Sequence, residues 1–471
     1  MSKKNEIIQL TRMTFESSSI HAIPNIIRNK YILIKIIWLI CFIVSFSGCT
    51  WFMIKSINDY LKYDVVTRIR VKYVNEIKFP VIGICNLKIL NKKLDNELMM
   101  IKRYPYKLNK LKLMQIRSYA TSLYYENKSA TYFDPDDFII DCYFGYVNCD
   151  KTNDFQIYYD FKYGICLKFN SGKNLYNQIV EKKTIYSTSG SNGLELELFI
   201  GDVDKNDNIF SREHGFNIIV HSQSELDSYN LNGIQIAPGT STRIILSKIS
   251  WKKEPKPYSV CTADLTSKDS YNSKTYKETF ISGIQYSYND CKNTCEANFI
   301  KNKCNCSLII SKNTTRICYL DDQLFQSDFE CINSAFKQFS IDSLNINNCD
   351  CPIECKRTFY TYSSSYSLFP TRKYSEYILE TDSFKSKYPN ITTYEELKKN
   401  IARVEIFFDD MTETVIEESV KTEMSDLISN LGGILGLFLG LSFLSLIEFV
   451  EVFLQAIFVY LNNIDREIRK S

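Results

Sequence analysis

An apolar segment towards the end of the chain combines the residue types that an ion pore requires. Residues 431–448 are apolar enough to cross a bilayer, yet Gly432, Gly436 and Gly440 recur every four residues and Ser442 follows them. On a helix these glycines form one stripe, and each weakens the helix by about 1 kcal/mol relative to Ala. The stripe is suited either to close packing between helices or to a pore in which main-chain carbonyl groups face a central path.

Two acidic residues lie deeper in the same segment. Glu448 and Glu451 follow the glycine stripe within the apolar run. Acidic groups inside a membrane span are costly and usually face water or a partner, so rings of them would attract cations. Glu451 is equally well explained as a solvated residue at the membrane surface.

Two hydrophobic runs are long enough to span a membrane. Residues 31–54 and 426–460 each exceed the roughly 20 residues that a bilayer core about 30 Å thick requires. The first run lacks a small-x-small cleavage site, which argues against a signal peptide. Basic residues before the first run and after the second favour a cytosolic location for both tails. The predicted division is a cytosolic segment 1–30, spans 31–54 and 426–460, an extracellular domain 55–425 and a cytosolic segment 461–471.

The cysteine content agrees with an extracellular domain. Of sixteen cysteines, Cys41 and Cys49 lie in the first span, which leaves fourteen outside it. An even number in an oxidising compartment predicts a disulfide framework. Zinc is the alternative for the cysteine-dense block 261–355, but the block contains no histidine. Glycosylation sequons begin at Asn127, Asn313 and Asn390.

Composition and pattern describe a mixed α and β domain and exclude several classes of function. The net charge is only +3 over 471 residues, so no nucleic-acid partner is indicated. No catalytic triad spacing, phosphate-binding loop or metal set is visible, so an enzyme is not expected. Basic helices are predicted at 88–117, and the cysteine-dense block is predicted to be helical in part. Strands are predicted at 65–71, 79–84, 155–170, 194–200, 216–222, 234–250 and 401–408, with a turn at Pro238-Gly239.

Six segments, in this order between the two spans, resemble the degenerin/epithelial sodium channel family, which includes acid-sensing and peptide-gated channels. The similarity runs from about Phe15 to Glu451. The segments are Phe79-Pro-Val-Ile-Gly-Ile-Cys-Asn86, Cys142 to Cys149, Tyr163 to Asn170, Gly215 to Gln223, Tyr286 to Cys295, and the Gly440-Leu-Ser442 triplet.

The resemblance implies a membrane protein with two transmembrane helices and a large disulfide-rich α+β ectodomain. Its parts would be the palm, finger, thumb and β-ball of the family, with 261–355 as the thumb. Three chains, identical or different, would surround one pore. The implied disulfides are Cys85–Cys166, Cys142–Cys149, Cys261–Cys355, Cys291–Cys351, Cys295–Cys349, Cys304–Cys331 and Cys306–Cys318.

The resemblance also assigns residues to the pore. Gly440, Leu441 and Ser442 would form the constriction, where the helix is interrupted and its carbonyl oxygens face sodium. Gly436 and Asn430 would line the wider pore, and a small residue at Ser429 would permit closure. Sodium would be the permeant ion, no cofactor is implied, and amiloride would block the current.

Gating residues depart from the family pattern at several positions. His21 and Ala22 stand where the family has His-Gly, and Ala does not share the access of Gly to positive φ. Tyr63 and Tyr258 match an aromatic pair that couples the thumb to the membrane span. The positions of a proton-sensing His and Asp are Val65 and Arg70, so proton gating by that route is disfavoured.

Several functions therefore remain in competition. We favour a plasma-membrane sodium channel subunit that an extracellular neuropeptide opens. A cationic peptide could bind to the acidic clusters at 134–141 or 195–207. These acidic residues are equally well explained as parts of solvated loops. Constitutive, mechanical or proton gating is the alternative within the family. An ATP-gated receptor would contain ten ectodomain cysteines and a Lys/Arg cluster, and a non-conducting receptor or adhesion subunit would use the glycine stripe only for packing. Membrane lipid is an expected partner in every case.

Overall fold

The structure is a computed structural model of the chain. It describes residues 22–87, 135–160, 163–188, 192–201, 213–222, 233–280, 286–307, 316–318, 323–341 and 349–442, together with positions 445, 447, 450, 451, 453, 454 and 457.

The described part of the chain contains helices and strands in a mixed order. A 3-10 turn, Pro135–Asp137, precedes the strand Ile139–Phe144. In chain order the elements are α1 (Ala22–Arg28), α2 (Ile32–Leu61), β1 (Val65–Tyr73), β2 (Ile77–Lys78), β3 (Val81–Asn86), β4 (Ile139–Phe144), β5 (Val147–Asn148), β6 (Phe155–Asp160), β7 (Gly164–Phe169), β8 (Thr184–Ile185), β9 (Leu194–Phe199), β10 (Phe216–His221), β11 (Ile234–Ile236), β12 (Thr240–Lys252), β13 (Cys261–Thr262), α3 (Lys274–Thr279), α4 (Tyr288–Cys304), α5 (Phe325–Ile341), β14 (Ile353–Glu354), β15 (Lys356–Leu368), α6 (Arg372–Glu380), α7 (Asp382–Lys387), α8 (Tyr394–Asn400), β16 (Ile401–Val420) and α9 (Met424–Leu439).

The first of two compact units contains the apolar helices. It comprises Met1–Thr67 and Glu418–Ser471. Among the described residues, α2 is the one helix long and apolar enough to cross a membrane, and α9 is apolar but shorter. Helix α2 continues to Leu61, beyond the predicted end of the span at position 54. Its 30 residues give a length of about 45 Å at the usual rise per residue.

The second unit, Arg68–Glu417, is built on two β-sheets. One has the strand order β15-β12-β16-β9-β4-β5, with β1 also paired to β16; the other has the order β11-β10-β3-β7-β6. The largest buried apolar cluster takes residues from both sheets. Strand β9 illustrates why: Leu194, Leu196 and Leu198 are buried there, and a glutamate follows each of the first two. Alternation of this kind directs one face of the strand to the core.

The cysteine-dense block combines helices with five disulfides. Helices α4 and α5 pack around a small apolar cluster that includes Ile300 and Ile332. The side chain of Asp328, 3% exposed, accepts two hydrogen bonds from Arg316, at 2.7 and 2.9 Å. The seven disulfides of the whole chain join the same pairs that the family resemblance implies.

Three predicted strands differ from the structure by more than two residues. Residues 155–170 form two strands, β6 and β7, because the chain reverses between Asp160 and Gly164. The predicted strand 234–250 is divided at the Pro238-Gly239 turn, where Gly239 has φ +72°. The strand predicted at 401–408 continues to Val420. The helices predicted at 88–117 lie outside the described residues.

Candidate functional site

Helix α9 has one face packed on α2 and two glycines, Gly432 and Gly433, that no described residue covers. The ring of Phe438 stacks on Phe52 with centroids 5.6 Å apart, and a Cβ at Gly48 would lie 3.0 Å from the Phe438 ring. In contrast, a Cβ at Gly432 or Gly433 would meet no described atom within 4 Å. At Gly436 the carbonyl oxygen of Leu441 would lie 3.8 Å from a Cβ, so the uncovered surface of α9 among the described residues is that at Gly432 and Gly433.

The helix ends at the Gly-x-Ser triplet. Leu439 is its last residue, and Gly440 adopts a left-handed conformation with φ 69° and ψ 18°. The N–H of Gly440 donates to the carbonyl of Gly436 at 3.1 Å, and the N–H of Leu441 donates to that of Leu435 at 3.3 Å. Glycine is the usual residue at such a helix end because it lacks the Cβ that opposes positive φ.

A serine pair begins the helical backbone that follows the triplet. The Oγ of Ser442 accepts a hydrogen bond from the N–H of Ser445 at 3.3 Å, and the Oγ of Ser445 accepts one from the N–H of Ser442 at 3.1 Å. This reciprocal arrangement is that of a capping box, which satisfies two amide groups at a helix start. The described positions from 445 to 457 are helical. Sequence reasoning did not single out Ser445, although its spacing of three from Ser442 was a usable signal.

The remaining predicted pore residues occupy different places. Asn430 and Ser429 are exposed on α9, and the Ser429 Oγ donates to the carbonyl of Ser425 at 2.8 Å. Glu451 is helical with an exposed side chain. Glu448 lies outside the described residues.

The structure gives partial information on the predicted gating residues. His21 lies outside the described residues, and Ala22 is the first residue of α1. Tyr63 follows α2 with φ 53°, and its ring lies 6.0 Å from that of Tyr60. Tyr258 is in the turn after β12, where its N–H donates to the carbonyl of Pro255 at 3.1 Å. The coupling role of Tyr63 and Tyr258 stays a prediction.

One contact between the segments that adjoin α2 and α9 was not anticipated. The N–H of Lys421 donates to the carbonyl of Asp64 at 3.1 Å, and its ammonium group lies 3.0 Å from the Asp64 carboxylate. Asp64 follows α2 and Lys421 precedes α9, so the ends of the two helices are tied by main chain and side chain together. Both side chains are largely exposed, which limits the ion pair to at most about 1 kcal/mol.

A second candidate site lies on the seven-stranded sheet, on the side of β9 opposite its buried leucines. We call this set of residues the polar ladder, because its members are cross-strand partners on the neighbouring strands β4, β9, β16 and β12. A cavity of about 470 Å³ lies against it. Parts of the two acidic segments suggested from the sequence meet here, since Asp141 and Glu195 lie on neighbouring strands. The ladder consists of Asp141, Tyr143, Glu195, Glu197, Ser241, Arg243, Arg403 and Glu405.

The deepest group of the polar ladder is Glu197. Its side chain is 6% exposed and accepts a hydrogen bond from the hydroxyl of Tyr374 on α6 at 2.8 Å. Burial, the largest cause, raises the pKa of Glu197 to about 7, although the Tyr374 hydroxyl and the Arg403 charge act to lower it. Glu197 can therefore change its charge near neutral pH.

The buried histidine of the second unit does not share that property. His221 is buried at the end of β10, and burial lowers its pKa to about 3. His214 precedes the same strand. Across the described residues, no group of three or more His, Cys, Asp or Glu is placed to hold a metal ion.

The predicted modification sites are only partly described. Asn390 is exposed in the turn before α8, where a glycan would meet solvent. Asn127 and Asn313 lie outside the described residues. Cys41 and Cys49 are not in disulfides.

Comparison with known proteins identifies the family. The family model described as "Amiloride-sensitive sodium channel" matches residues 14–452. The human bile acid-sensitive ion channel is 24% identical over 92% of this chain and 84% of its own length. Acid-sensing ion channel 1A of Danio rerio is 24% identical over 92% and 86%, and the FMRFamide-activated amiloride-sensitive sodium channel of Cornu aspersum is 23% identical over 93% and 81%.

A solved proton-activated chloride channel overlaps 89% of this chain and 97% of its own, but the TM-score of 0.29 and the identity of 8% support no argument. The family model covers nearly the whole chain and includes both the glycine stripe and the cysteine framework. Because the family consists of ion channels, the expectation that the chain is not an enzyme is confirmed. The chain belongs to the amiloride-sensitive sodium channel family, that of the degenerin and epithelial sodium channels.

Proposed function

We propose that this chain is one subunit of a trimeric plasma-membrane sodium channel whose pore is lined by α9, the Gly440-Leu-Ser442 triplet and the helical segment after it. The observation that carries the proposal is the interruption of an apolar helix at Gly440, on the same helix as Gly432 and Gly433, whose surface no described atom covers. Non-helical backbone at membrane depth is tolerated where it lines a water-filled cavity or is buried in protein.

Assembly follows from the same geometry. One chain with two spans cannot enclose a path for ions, so several copies must contribute their glycine faces. Carbonyl oxygens of Gly440 and Leu441, freed from regular helix bonding, would replace part of the hydration shell of sodium. Asn430 would stand nearer the outer mouth, with Glu448 and Glu451 beyond the constriction.

The proposed trigger is an extracellular peptide. A relative from Cornu aspersum, matched over 81% of its own length, carries the name of an FMRFamide-activated channel. The positions of a proton-sensing His and Asp are occupied by Val65 and Arg70, whose side chains do not titrate near neutral pH. Constitutive opening or mechanical load would leave the pore proposal unchanged.

Cysteine accessibility tests the pore proposal. In a Cys41→Ser/Cys49→Ser background, cells would express the chain with candidate sibling subunits, and amiloride-sensitive current would be recorded during application of a charged thiol reagent. Ser429 and Gly436 are exposed on the side of α9 away from Phe438. Modification of Ser429→Cys or Gly436→Cys should therefore block the current. Phe438→Cys lies on the face packed against α2 and should be insensitive.

Two results would contradict the proposal. Block through Phe438→Cys together with no effect at Ser429→Cys would place the pore on another face of the helix. Absence of any new cation current, with the chain at the cell surface in every subunit combination, would favour a non-conducting receptor or adhesion subunit.

A further inference from the structure

The polar ladder contains more acidic than basic groups. Its described residues include four carboxyl groups and two guanidinium groups, so two negative charges remain without a countercharge if every acid is ionised. Arg403 lies against Glu195 and is 3.0 Å from Glu405, and Arg243 is 2.8 Å from Glu405. Although Arg403 is the cross-strand partner of Glu197 on β16 and its charge acts to lower the pKa of that group, the described ion pairs of both arginines are to Glu195 and Glu405, and none is to Glu197 or Asp141.

Of these two, Glu197 has the surroundings that oppose ionisation more strongly. Asp141 is its cross-strand partner on β4, and Glu195 is two residues away on the same face of β9. The hydrogen bond from Tyr374 comes from a neutral hydroxyl group. A buried carboxylate beside other carboxylates and without an ion pair of its own is the group that accepts a proton first.

We propose that the polar ladder is a proton-binding site outside the pore, with Glu197 as the group that accepts the proton. The protonated carboxyl group keeps its carbonyl oxygen as acceptor for the Tyr374 hydroxyl, and its own O–H can donate to the neighbouring carboxylate of Asp141 or Glu195. Protonation removes one of the two surplus negative charges, and so relieves the repulsion between Glu197 and the carboxylates of Asp141 and Glu195.

This site differs in place and chemistry from the proton-sensing positions at Val65 and Arg70. Glu197 stands in the middle of the seven-stranded sheet, beside β16, the strand that leads towards α9. Extracellular pH would act here whatever ligand opens the channel, so the inference does not depend on the proposed peptide.

The sign of the effect follows from linkage. The pKa of Glu197 in the folded chain is about 7, above the value of about 4.3 expected in the unfolded chain. Between these values the folded state holds a proton that the unfolded state has released, so stability falls as the pH rises through the folded pKa. The buried His221 changes stability in the opposite sense over part of this range, but it contributes equally to wild type and to a Glu197 variant.

The test compares thermal unfolding midpoints of the full-length protein in detergent between about pH 5 and pH 8. Glu197→Gln reproduces the shape of the protonated carboxyl group. The wild-type midpoint should fall relative to that of Glu197→Gln as the pH rises from 5 to about 7, and the difference should then level off. Infrared pH-difference spectra should contain a protonated-carboxyl band that Glu197→Gln lacks.

Two matched variants separate proton binding from a merely structural role. Glu195→Gln removes a carboxylate from the same face and should keep a pH-dependent midpoint, with its inflection moved to lower pH because a neighbouring negative charge is lost. Tyr374→Phe removes a donor that favours the ionised form, so it should move the inflection to higher pH. A difference between wild type and Glu197→Gln that is constant over the whole pH range would overturn the proposal, as would loss of the pH dependence in Glu195→Gln instead.

Discussion

Gly440 is the residue whose backbone conformation most restricts substitution in the pore segment. Its φ of 69° is in the left-handed region, where a Cβ costs about 1–2 kcal/mol. Gly440→Ala should therefore reduce the population of the conducting conformation by about five- to thirtyfold. The measurement is amiloride-sensitive current normalised to the amount of protein at the cell surface.

Gly433→Ala is the matched control for that substitution. Gly433 is within α9, has no described atom within 4 Å of its would-be Cβ and needs no positive φ. Alanine there should stabilise the helix by up to about 1 kcal/mol. Equal loss of normalised current in both variants would mean that glycine is required for space in the pore and not for the turn at Gly440.

His221 gives a prediction about acid stability. Its pKa is about 3 in the folded chain against about 6.5 in an unfolded one, so the unfolded state binds the proton more readily in between. Stability from this group is present above about pH 6.5 and is lost as the pH falls towards 3. The thermal unfolding midpoint of the wild type should thus fall relative to that of His221→Gln as the pH decreases over that range. Parallel curves of midpoint against pH would contradict this.

At the scale of residues, only part of the candidate site could be predicted from the sequence. The interruption at Gly440 was expected from a family motif, because residue spacing alone is compatible with a continuous helix. Glu197 was one of several glutamates in a region with an equally good explanation as a solvated loop. Its burial depends on Tyr374, which is 177 positions away in the chain, and no local pattern reports such a contact.

At the scale of elements, the contact between α2 and α9 leads to a prediction about packing. A Cβ at Gly48 would already approach the Phe438 ring to 3.0 Å, so the larger Val side chain would displace that ring. Gly48→Val should cost about 1–3 kcal/mol, as overpacking usually does. The expected result is a lower thermal unfolding midpoint of the full chain in detergent.

Gly433→Val adds the same atoms to the bare side of α9. It should lower the midpoint less than Gly48→Val, since no described side chain has to move. The reverse order would mean that the face of α9 opposite Phe438 is the tightly packed one.

The strands differ in how well they can be predicted from their own sequences. Leu194 to Phe199 alternates apolar and acidic residues, and β9 matches that pattern closely. Strand β15 was missed because Ser363, Ser364 and Ser365 interrupt any apolar period and most of its side chains are exposed. Its thirteen pairings with β12 place it in the sheet, and tertiary pairing is information that a local pattern lacks.

At the scale of the whole molecule, the disulfides should contribute unequally to stability. The Cys261–Cys355 bridge closes 94 residues and Cys142–Cys149 closes 7. Because Cys291–Cys351 shortens the path inside the outer loop, the chain-entropy model gives about 4 kcal/mol for the first and about 2 kcal/mol for the second. Cys261→Ser/Cys355→Ser should therefore lower the urea midpoint more than Cys142→Ser/Cys149→Ser. Equal shifts would show that loop entropy does not determine the contribution of these bridges.

The family was accessible from the sequence because it depends on the order of motifs along the chain, whereas the disulfide pairing was available only through the resemblance to that family. The trigger was not accessible, since family relatives carry names that refer to bile acid, acid and a peptide at similar identity. A difference of that kind resides in a few surface side chains, which leave the motif order unchanged.

The nested bridges also determine what a protease can do to this protein. In the cysteine-dense block, three bridges are nested, with the outermost given first: Cys261–Cys355, Cys291–Cys351 and Cys295–Cys349. A single cut anywhere between Cys261 and Cys355 would leave both fragments covalently joined, so the nicked subunit would run at full mass on a gel until a reductant was added. Strands β12 and β15, on either side of the block, would remain linked through such damage.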